Sequence, residues 1–274
     1  MSFEYFDQLW SKNVPNLQEQ KIHWDKRAKE FSDYRNQVGE DRVEKLLNFF
    51  EQKGLSYENL DILDIGCGTG TYALEFAKKA KSVTALDIST QMIAYAKEEA
   101  SERRVKNVQF AELPWEDIDL DAYGCRKKFD LAVAIMTPAI NSRNSLEKMM
   151  EASKDYCFMS GYVDRHEKLK EAIEQNILHR KPNRTDFGLS IYCSFNILWL
   201  YGIHPDITYY TTERENDRTV EEAFTYYTLQ LERKNSLTDE EKLAIRSYLK
   251  KQAQNGRVKD TFQSKTAWLF WRNN

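Results

Sequence analysis

The order of apolar runs along the chain predicts an α/β fold, a largely parallel sheet covered by helices on both faces. Two observations carry this. Short β-branched runs of strand length alternate with segments whose apolar residues recur at helical spacing, from about residue 40 to Tyr162. The first strand-like run ends in closely spaced glycines just before a helix, as buried parallel strands do. The 274 residues, 41% apolar and 30% charged, suit one large domain or a domain with an appended subdomain. A peptide, a disordered tail and a disulfide-stapled miniprotein are excluded.

Residues 1 to about 38 are polar with spaced aromatics (Tyr5, Phe6, Trp10, Trp24, Phe31, Tyr34), which reads as one or two short helices laid against something else. A helix follows over Glu40 to Lys53, with Val43, Leu46, Leu47 and Phe50 on one face and Gly54 where a C-terminal glycine cap belongs. Asp61 to Ile65 is a buried strand, Thr71 to Lys81 a helix, Ser82 to Ile88 a strand and Ser89 to Arg103 a helix. Strands are also expected at Val108–Phe110, Phe129–Met136 and Tyr156–Tyr162. Beyond Tyr162 the rhythm changes. A charged amphipathic helix (His166 to Arg180) leads to an uncharged segment, Phe187 to Ile203, and then to a Thr/Tyr-rich strand, Ile207 to Arg214. Capping boxes at Thr219/Glu222 and Thr238/Glu241 start two more helices, an insertion on the core sheet, and Ala267 to Trp271 closes the chain as a strand.

Forty basic against 43 acidic residues, a formal charge of −3, provide no electrostatic reason for a DNA or anionic-membrane partner. The four cysteines are far apart and form no CxxC pair, so no metal site and no disulfide framework is expected, and a reducing cytoplasm is the default location. The N-terminus lacks the layout of a secretory signal. The charge-free stretch from Phe187 contains Gly188, Ser190, Asn196 and His204 and ends at Pro205, so it reads as a buried helix near a ligand pocket and not as a membrane span. The sequence carries no signal for an oligomeric state.

The chemistry is concentrated in Ile62-Leu63-Asp64-Ile65-Gly66-Cys67-Gly68-Thr69-Gly70. A strand ending in glycines beside a helix N-terminus lets backbone approach a ligand. Asp87 closes the next strand, 21 positions beyond Gly66, where it can accept hydrogen bonds from both hydroxyls of a ribose. Strand, glycine turn, helix, strand and terminal acid in that order predict a nucleoside site. A nicotinamide enzyme would favour GxGxxG, whereas this loop is GxGxG preceded by Asp64.

These residues resemble the class I S-adenosylmethionine-dependent methyltransferases, in particular their small-molecule branch of ubiquinone and menaquinone type. Asp64 to Gly70 is similar to the family's first motif, Asp87 to the acid on its second strand, and the likeness runs through Ser89, Met92, Ala96 and Phe129-Asp130-Leu131. The resemblance implies a Rossmann-like, mostly parallel sheet of seven strands with the last one antiparallel, Ala267–Trp271 being that strand and Ile207–Arg214 its neighbour. It further implies an N-terminal cap over residues 1–38 and a cofactor-binding domain over 39–274, with lid or insertion elements at about 163–205 and 217–255. S-adenosyl-L-methionine would be the cofactor and S-adenosyl-L-homocysteine the product. Gly66, Cys67, Gly68 and Gly70 would hold the methionine end, Asp64 would order the loop, Asp87 would bind the ribose, and Ile88 and Met92 would pack on the adenine. Glu112, or a backbone group near Trp115, would receive the adenine amino group, and Met136 and Thr137 would stand where donor and acceptor meet.

The fourth strand carries no Asn/Asp-Pro-Pro-Tyr box, which weighs against a DNA base or an amide as acceptor. A sulfonium methyl is already activated, so positioning is the main task and a base is optional, with His23, His166 and His204 as candidates. Trp24, Arg27, Tyr162 and Trp199 are candidate walls of an acceptor pocket, since electron-rich rings favour a cationic sulfonium. A small apolar or aromatic acceptor is therefore expected. The alternatives are methylation of a protein or RNA through the basic residues Arg165, Lys168, Lys170, Arg180, Lys181 and Arg184, or a cofactor-binding regulatory protein without transfer activity.

Overall fold

The computed structural model describes residues 2–10, 16–181, 188–232 and 236–273, with backbone alone for 34–41. Arg184 and the start of the uncharged segment at Phe187 lie outside the described residues. Two N-terminal helices, α1 (Phe3–Trp10) and α2 (Leu17–Gln52), lead into an alternating core. That core is β1 (Asp61–Ile65), α3 (Thr71–Phe76), β2 (Ser82–Asp87), α4 (Thr90–Glu102), β3 (Val108–Glu112), β4 (Phe129–Ile135), α5 (Arg143–Ala152) and β5 (Ser153–Glu167). The remainder is α6 (Lys168–Asn176), α7 (Leu189–Leu200), β6 (Asp206–Thr219), α8 (Val220–Leu231), α9 (Asp239–Gln252) and β7 (Arg257–Arg272).

Among the described residues the strands form one seven-stranded sheet in the order β3-β2-β1-β4-β5-β7-β6. The pairs β1/β2, β1/β4, β2/β3 and β4/β5 are parallel, and the last strand of the chain is antiparallel, so the sheet is the Rossmann-like one the resemblance implied. Strand β1 sits between β2 and β4, where the order reverses, and the crevice beyond the carboxyl ends of such strands is where ligands bind in open α/β sheets.

The chain divides into two compact units. The first comprises Met1–Gly161, Ser190–Thr208 and Trp268–Asn274, the second Tyr162–Leu189 and Tyr209–Ala267. The core of the first is aromatic: Phe50 is fully buried, edge-on to Phe158 at 5.3 Å and stacked on Phe76 at 6.3 Å. The second has its own apolar cluster, built on Ile173 of α6, Tyr227 of α8, Ile245 and Leu249 of α9 and Val258 of β7. No helix among the described residues is long and apolar enough to cross a membrane.

Several elements differ from expectation, each for a local reason. The helix expected from Glu40 is the last part of α2, one continuous helix from Leu17. It stops as anticipated at Gly54 (φ +74°), whose N–H bonds Glu51 O while that of Leu55 bonds Phe50 O, a Schellman closure. α3 ends at Phe76, and the chain continues in tighter turns to Ala80. β5 extends to Glu167, so His166 belongs to a strand and α6 begins only at Lys168. Asp164 pairs with His166 and Arg165 with Glu167, two positions apart as strand geometry requires, although the expected helix began at His166. β6 and β7 are longer than read, and α5 was not anticipated, although Ser142 caps it in a reciprocal box with Ser145. The boxes at Thr219/Glu222 and Thr238/Glu241 form as expected, each with bonds of 2.8 and 3.2 Å.

Candidate active site

At the carboxyl end of β1 the chain leaves the sheet through Gly66, Gly68 and Gly70, all at positive φ. Gly66 permits a close approach: a Cβ there would lie 2.0 Å from Thr137 Oγ1, on the loop leaving β4. Gly68 borders the opening, since a Cβ there would meet only Met92 Sδ, at 4.0 Å. Gly66 N and Cys67 N both donate to Leu86 O of β2, which ties the loop to the neighbouring strand. Asp87, one residue further, accepts from Gly68 N through Oδ2 and from Ser89 N through Oδ1, each at 2.8 Å. Ser89 in turn caps α4 by accepting from Met92 N.

These residues line a cleft of about 160 Å³ in the first unit. Eleven of the residues singled out from the sequence border it: Asp64, Gly66, Cys67, Gly68, Asp87 and Ile88, then Met92, Trp115, Met136, Thr137 and Trp24. Met136 holds φ +54°, a left-handed conformation unusual for a non-glycine and of the kind that gathers at functional sites. Trp115 is buried, its indole N–H donating to Ser145 O at 2.9 Å.

Buried carboxyls shape the electrostatics of the cleft. Asp64 is fully buried, and its Oδ2 has no hydrogen-bond partner among the described residues. Burial, with the nearby Asp87 charge, pushes its carboxyl up to about 7, against the bond from Ala73 N–H. Asp87 is also raised, mainly by burial, although the N–H groups of Ser89 and Gly68 favour its charged form. Glu116, which faces the cleft and accepts from Asn141 Nδ2 at 2.8 Å, is raised by burial too. Three carboxyls with raised pKa around one opening, with a buried unsatisfied oxygen among them, suit a cationic ligand that also carries hydroxyls.

The other sequence candidates stand elsewhere. Gly70 is the N-cap of α3, packed against Phe110 and Ala96, and does not border the cleft. Glu112 is exposed and ion-paired with Lys21 of α2, which removes it from the cleft wall and leaves Leu113 and Trp115 there. Arg27 pairs with Glu30 at 3.0 Å and lies over Trp24 and Phe31, so it supports two cleft-lining rings from behind. Trp199 is half-exposed against His204, and Tyr162 lies in the second unit beside Phe262. None of His23, His166 and His204 borders the cleft. His23 stacks edge-on to Trp24, and His166 is held between Asp164 and Glu171, whose hydrogen bond raises its pKa.

Sequence reading missed Gln20, Phe31 and Arg42 of α2, and Leu113 and Glu116, as cleft-lining residues. Their contribution depends on how α2 lies. Asp25 fastens that helix to α4, accepting from Ser89 Oγ at 2.6 Å and from Gln91 N at 3.0 Å, while Lys21 bonds Ile88 O, Thr90 and Glu112. Glu116 had a signal, a carboxylate beside the expected adenine-contact tryptophan.

A glycine turn and a strand-terminal acid at the switch point of a 3-2-1-4-5-7-6 sheet define a nucleoside-binding α/β enzyme of the class I methyltransferase type. The chain belongs to the methyltransferase domain family, whose model matches residues 56–263, and it is an S-adenosylmethionine-dependent enzyme. It is 36% identical over 66 residues to a malonyl-[acyl-carrier protein] O-methyltransferase of Pectobacterium atrosepticum, a match spanning 24% of this chain and about a quarter (26%) of that enzyme. To an uncharacterized protein of Haemophilus influenzae it is 24% identical over 258 residues, covering 91% of this chain and 88% of that one. Its fold is similar to that of magnesium protoporphyrin IX methyltransferase from Synechocystis PCC 6803 with bound S-adenosylhomocysteine, with a TM-score of 0.50, 13% identity and coverage of 99% and 97%.

Proposed function

We propose that the cleft binds S-adenosylmethionine and passes its methyl group to a small, apolar or aromatic acceptor. The observation that carries this reading is the buried, unpartnered Oδ2 of Asp64 beneath a glycine loop, in a cleft with three raised carboxyls. The cofactor supplies a positively charged sulfonium whose methyl is ready for in-line displacement, so the protein's work is positioning and the exclusion of water. Asp64 and the backbone of Gly66 and Gly68 would hold the methionine end. Asp87 would exchange one of its present N–H partners for the ribose hydroxyls, Ile88 and Met92 would flank the base, and Trp115 would form its far wall.

Support for a small acceptor comes from the cover over the cleft. Trp24 and Phe31 of α2 border it together with Met136, Thr137 and Pro138, a largely apolar group. Three of the six basic residues that would serve a macromolecular acceptor are ion-paired, Arg165 with Glu167, Lys170 with Glu174 and Arg180 with Glu241. Alignment of the reacting atoms is worth about 7–11 kcal/mol in favourable systems against ~10²–10⁴-fold for a base, consistent with a cleft bordered by no histidine. Calorimetry with S-adenosylmethionine and S-adenosylhomocysteine tests the cofactor, and mass spectrometry over a panel of phenols, small acids and amines tests the acceptor. No heat from either cofactor form at millimolar concentration would remove the reading, and transfer only to protein or RNA would replace the small acceptor.

A further inference from the structure

Strand β6 carries a pattern that a covered sheet face does not ordinarily carry. Glu213, Glu215 and Asp217 are exposed, and the alternate positions Arg214, Asn216 and Arg218 are half-buried. Period-two patterning normally sets apolar residues on the covered face, and here it sets two guanidinium groups with an amide between them.

A third guanidinium joins them. Arg165 of β5 and Arg214 both lie over the buried ring of Phe262 on β7, at 5.2 and 4.5 Å from its centroid. Arg165 also bonds the Tyr226 hydroxyl of α8 at 3.3 Å, and Arg218 lies over the same Tyr226 ring at 4.0 Å. All of these residues belong to the second unit. Two carboxylates share the cluster and are already engaged. Glu167 accepts from Arg165 and from Tyr226 Oη, and Asp260 accepts from Leu169 N–H and from Tyr227 Oη. Three guanidinium groups thus gather with Glu167 and Asp260, and the Glu222 carboxyl lies within electrostatic reach of Arg218.

Several donors of this cluster are unmatched. Arg165 Nε, Arg218 Nη1, Asn216 Nδ2 and Gln230 Nε2 are buried without a hydrogen-bond partner among the described residues. Gln230 follows Tyr226 by one helical turn on the same face of α8. Every one of these four atoms is an N–H donor. Aromatic faces hold guanidinium planes fixed while leaving their N–H edges free to bind, the arrangement that suits bidentate recognition of an oxyanion. A cluster serving structure alone would be expected to pair its donors internally, since unmade buried bonds are costly.

We propose that the second unit holds an oxyanion-binding site in which Arg218, Asn216 and Gln230, with Arg165, receive a phosphate or carboxylate group. Thermal unfolding and calorimetry of the full chain with sodium phosphate and, separately, sodium succinate test it, with sodium chloride at equal ionic strength as control. A saturable rise in melting temperature with phosphate or with succinate, absent in chloride, is expected, and whichever anion acts identifies the group. Arg218→Met keeps the apolar stem over Tyr226 and removes the buried, unpartnered Nη1 donor. It should melt higher than the parent in chloride while binding the anion at least tenfold more weakly. Should it fail to fold, Asn216→Leu provides the same readout. No saturable response to either anion overturns the proposal. So does a variant that melts lower and responds to the anion as the parent does, because the cluster would then be structural.

Discussion

Replacing Gly66 by alanine tests the geometry of the loop most directly. Gly66 sits at φ +69°, where a Cβ costs roughly 1–2 kcal/mol through its clash with the following carbonyl. The same Cβ would lie 2.0 Å from Thr137 Oγ1 and 2.6 Å from Thr137 Cβ, well inside contact distance. Neither side can retreat freely, because Gly66 N bonds Leu86 O at 2.8 Å and Met136 N bonds Ser160 O at 3.0 Å. Relief therefore requires overpacking strain of about 1–3 kcal/mol, and the total destabilisation comes to about 2–5 kcal/mol. At about 2–4 °C per kcal/mol for a domain of this size, Gly66→Ala should melt roughly 4–20 °C lower. Thr137→Gly removes both overlapping atoms, so the double variant should recover about 1–3 kcal/mol relative to additivity while the φ strain persists. Urea unfolding of the four proteins measures this coupling, and calorimetry with S-adenosylhomocysteine follows the site in parallel. A Gly66→Ala protein as stable as the parent, or strictly additive effects at the two positions, would refute the reasoning.

Asp64 makes stability depend on pH: its folded pKa of about 7 exceeds the ordinary 3.8, so the folded state holds the proton longer and stability falls as pH rises through that window. Asp64→Asn should flatten that fall, worth on the order of 4 kcal/mol at most, in urea titrations across the same range. Binding of a cationic cofactor near neutral pH should release protons, read as a dependence of calorimetric heat on buffer ionisation. Asp87→Ala should weaken S-adenosylhomocysteine by roughly 10–100-fold, as expected for bonds to a charged group, and an unchanged affinity would remove the nucleoside assignment. Asp25→Ala removes the acceptor for Ser89 Oγ and Gln91 N, and should raise the dissociation constant several-fold in calorimetry while leaving the thermal transition cooperative. Trp24→Ala should lower methyl transfer, whereas Trp199→Ala, half-exposed and away from the cleft, should bind cofactor as the parent does.

What was legible in the sequence is what depends on a few neighbouring residues. β1 has the bounds expected of it, α4 runs between its anticipated caps, and the two Thr/Glu boxes start their helices, because propensity, capping and burial agree within one turn or one strand. The glycine turn and Asp87 belong to the same class, a backbone requirement written in residue types. His166 and Glu167 read in the sequence as the start of a helix because charged residues fit a helical face as well as a strand, and only pairing with neighbours decides between the two.

The sequence by itself therefore determined the strand and glycine turn, the acid on the next strand and the parallel core that sets them side by side. Tertiary structure alone decided which side chains close the cleft. Gln20, Phe31 and Arg42 reach it because α2 is one helix pinned by Asp25 to α4, and Glu112 leaves it because Lys21 of that helix holds it outside. It also decided that three arginines meet around Phe262 and Tyr226. Residues far apart along the chain become neighbours only when separate strands pair and helices pack, and no local periodicity records which of them will meet.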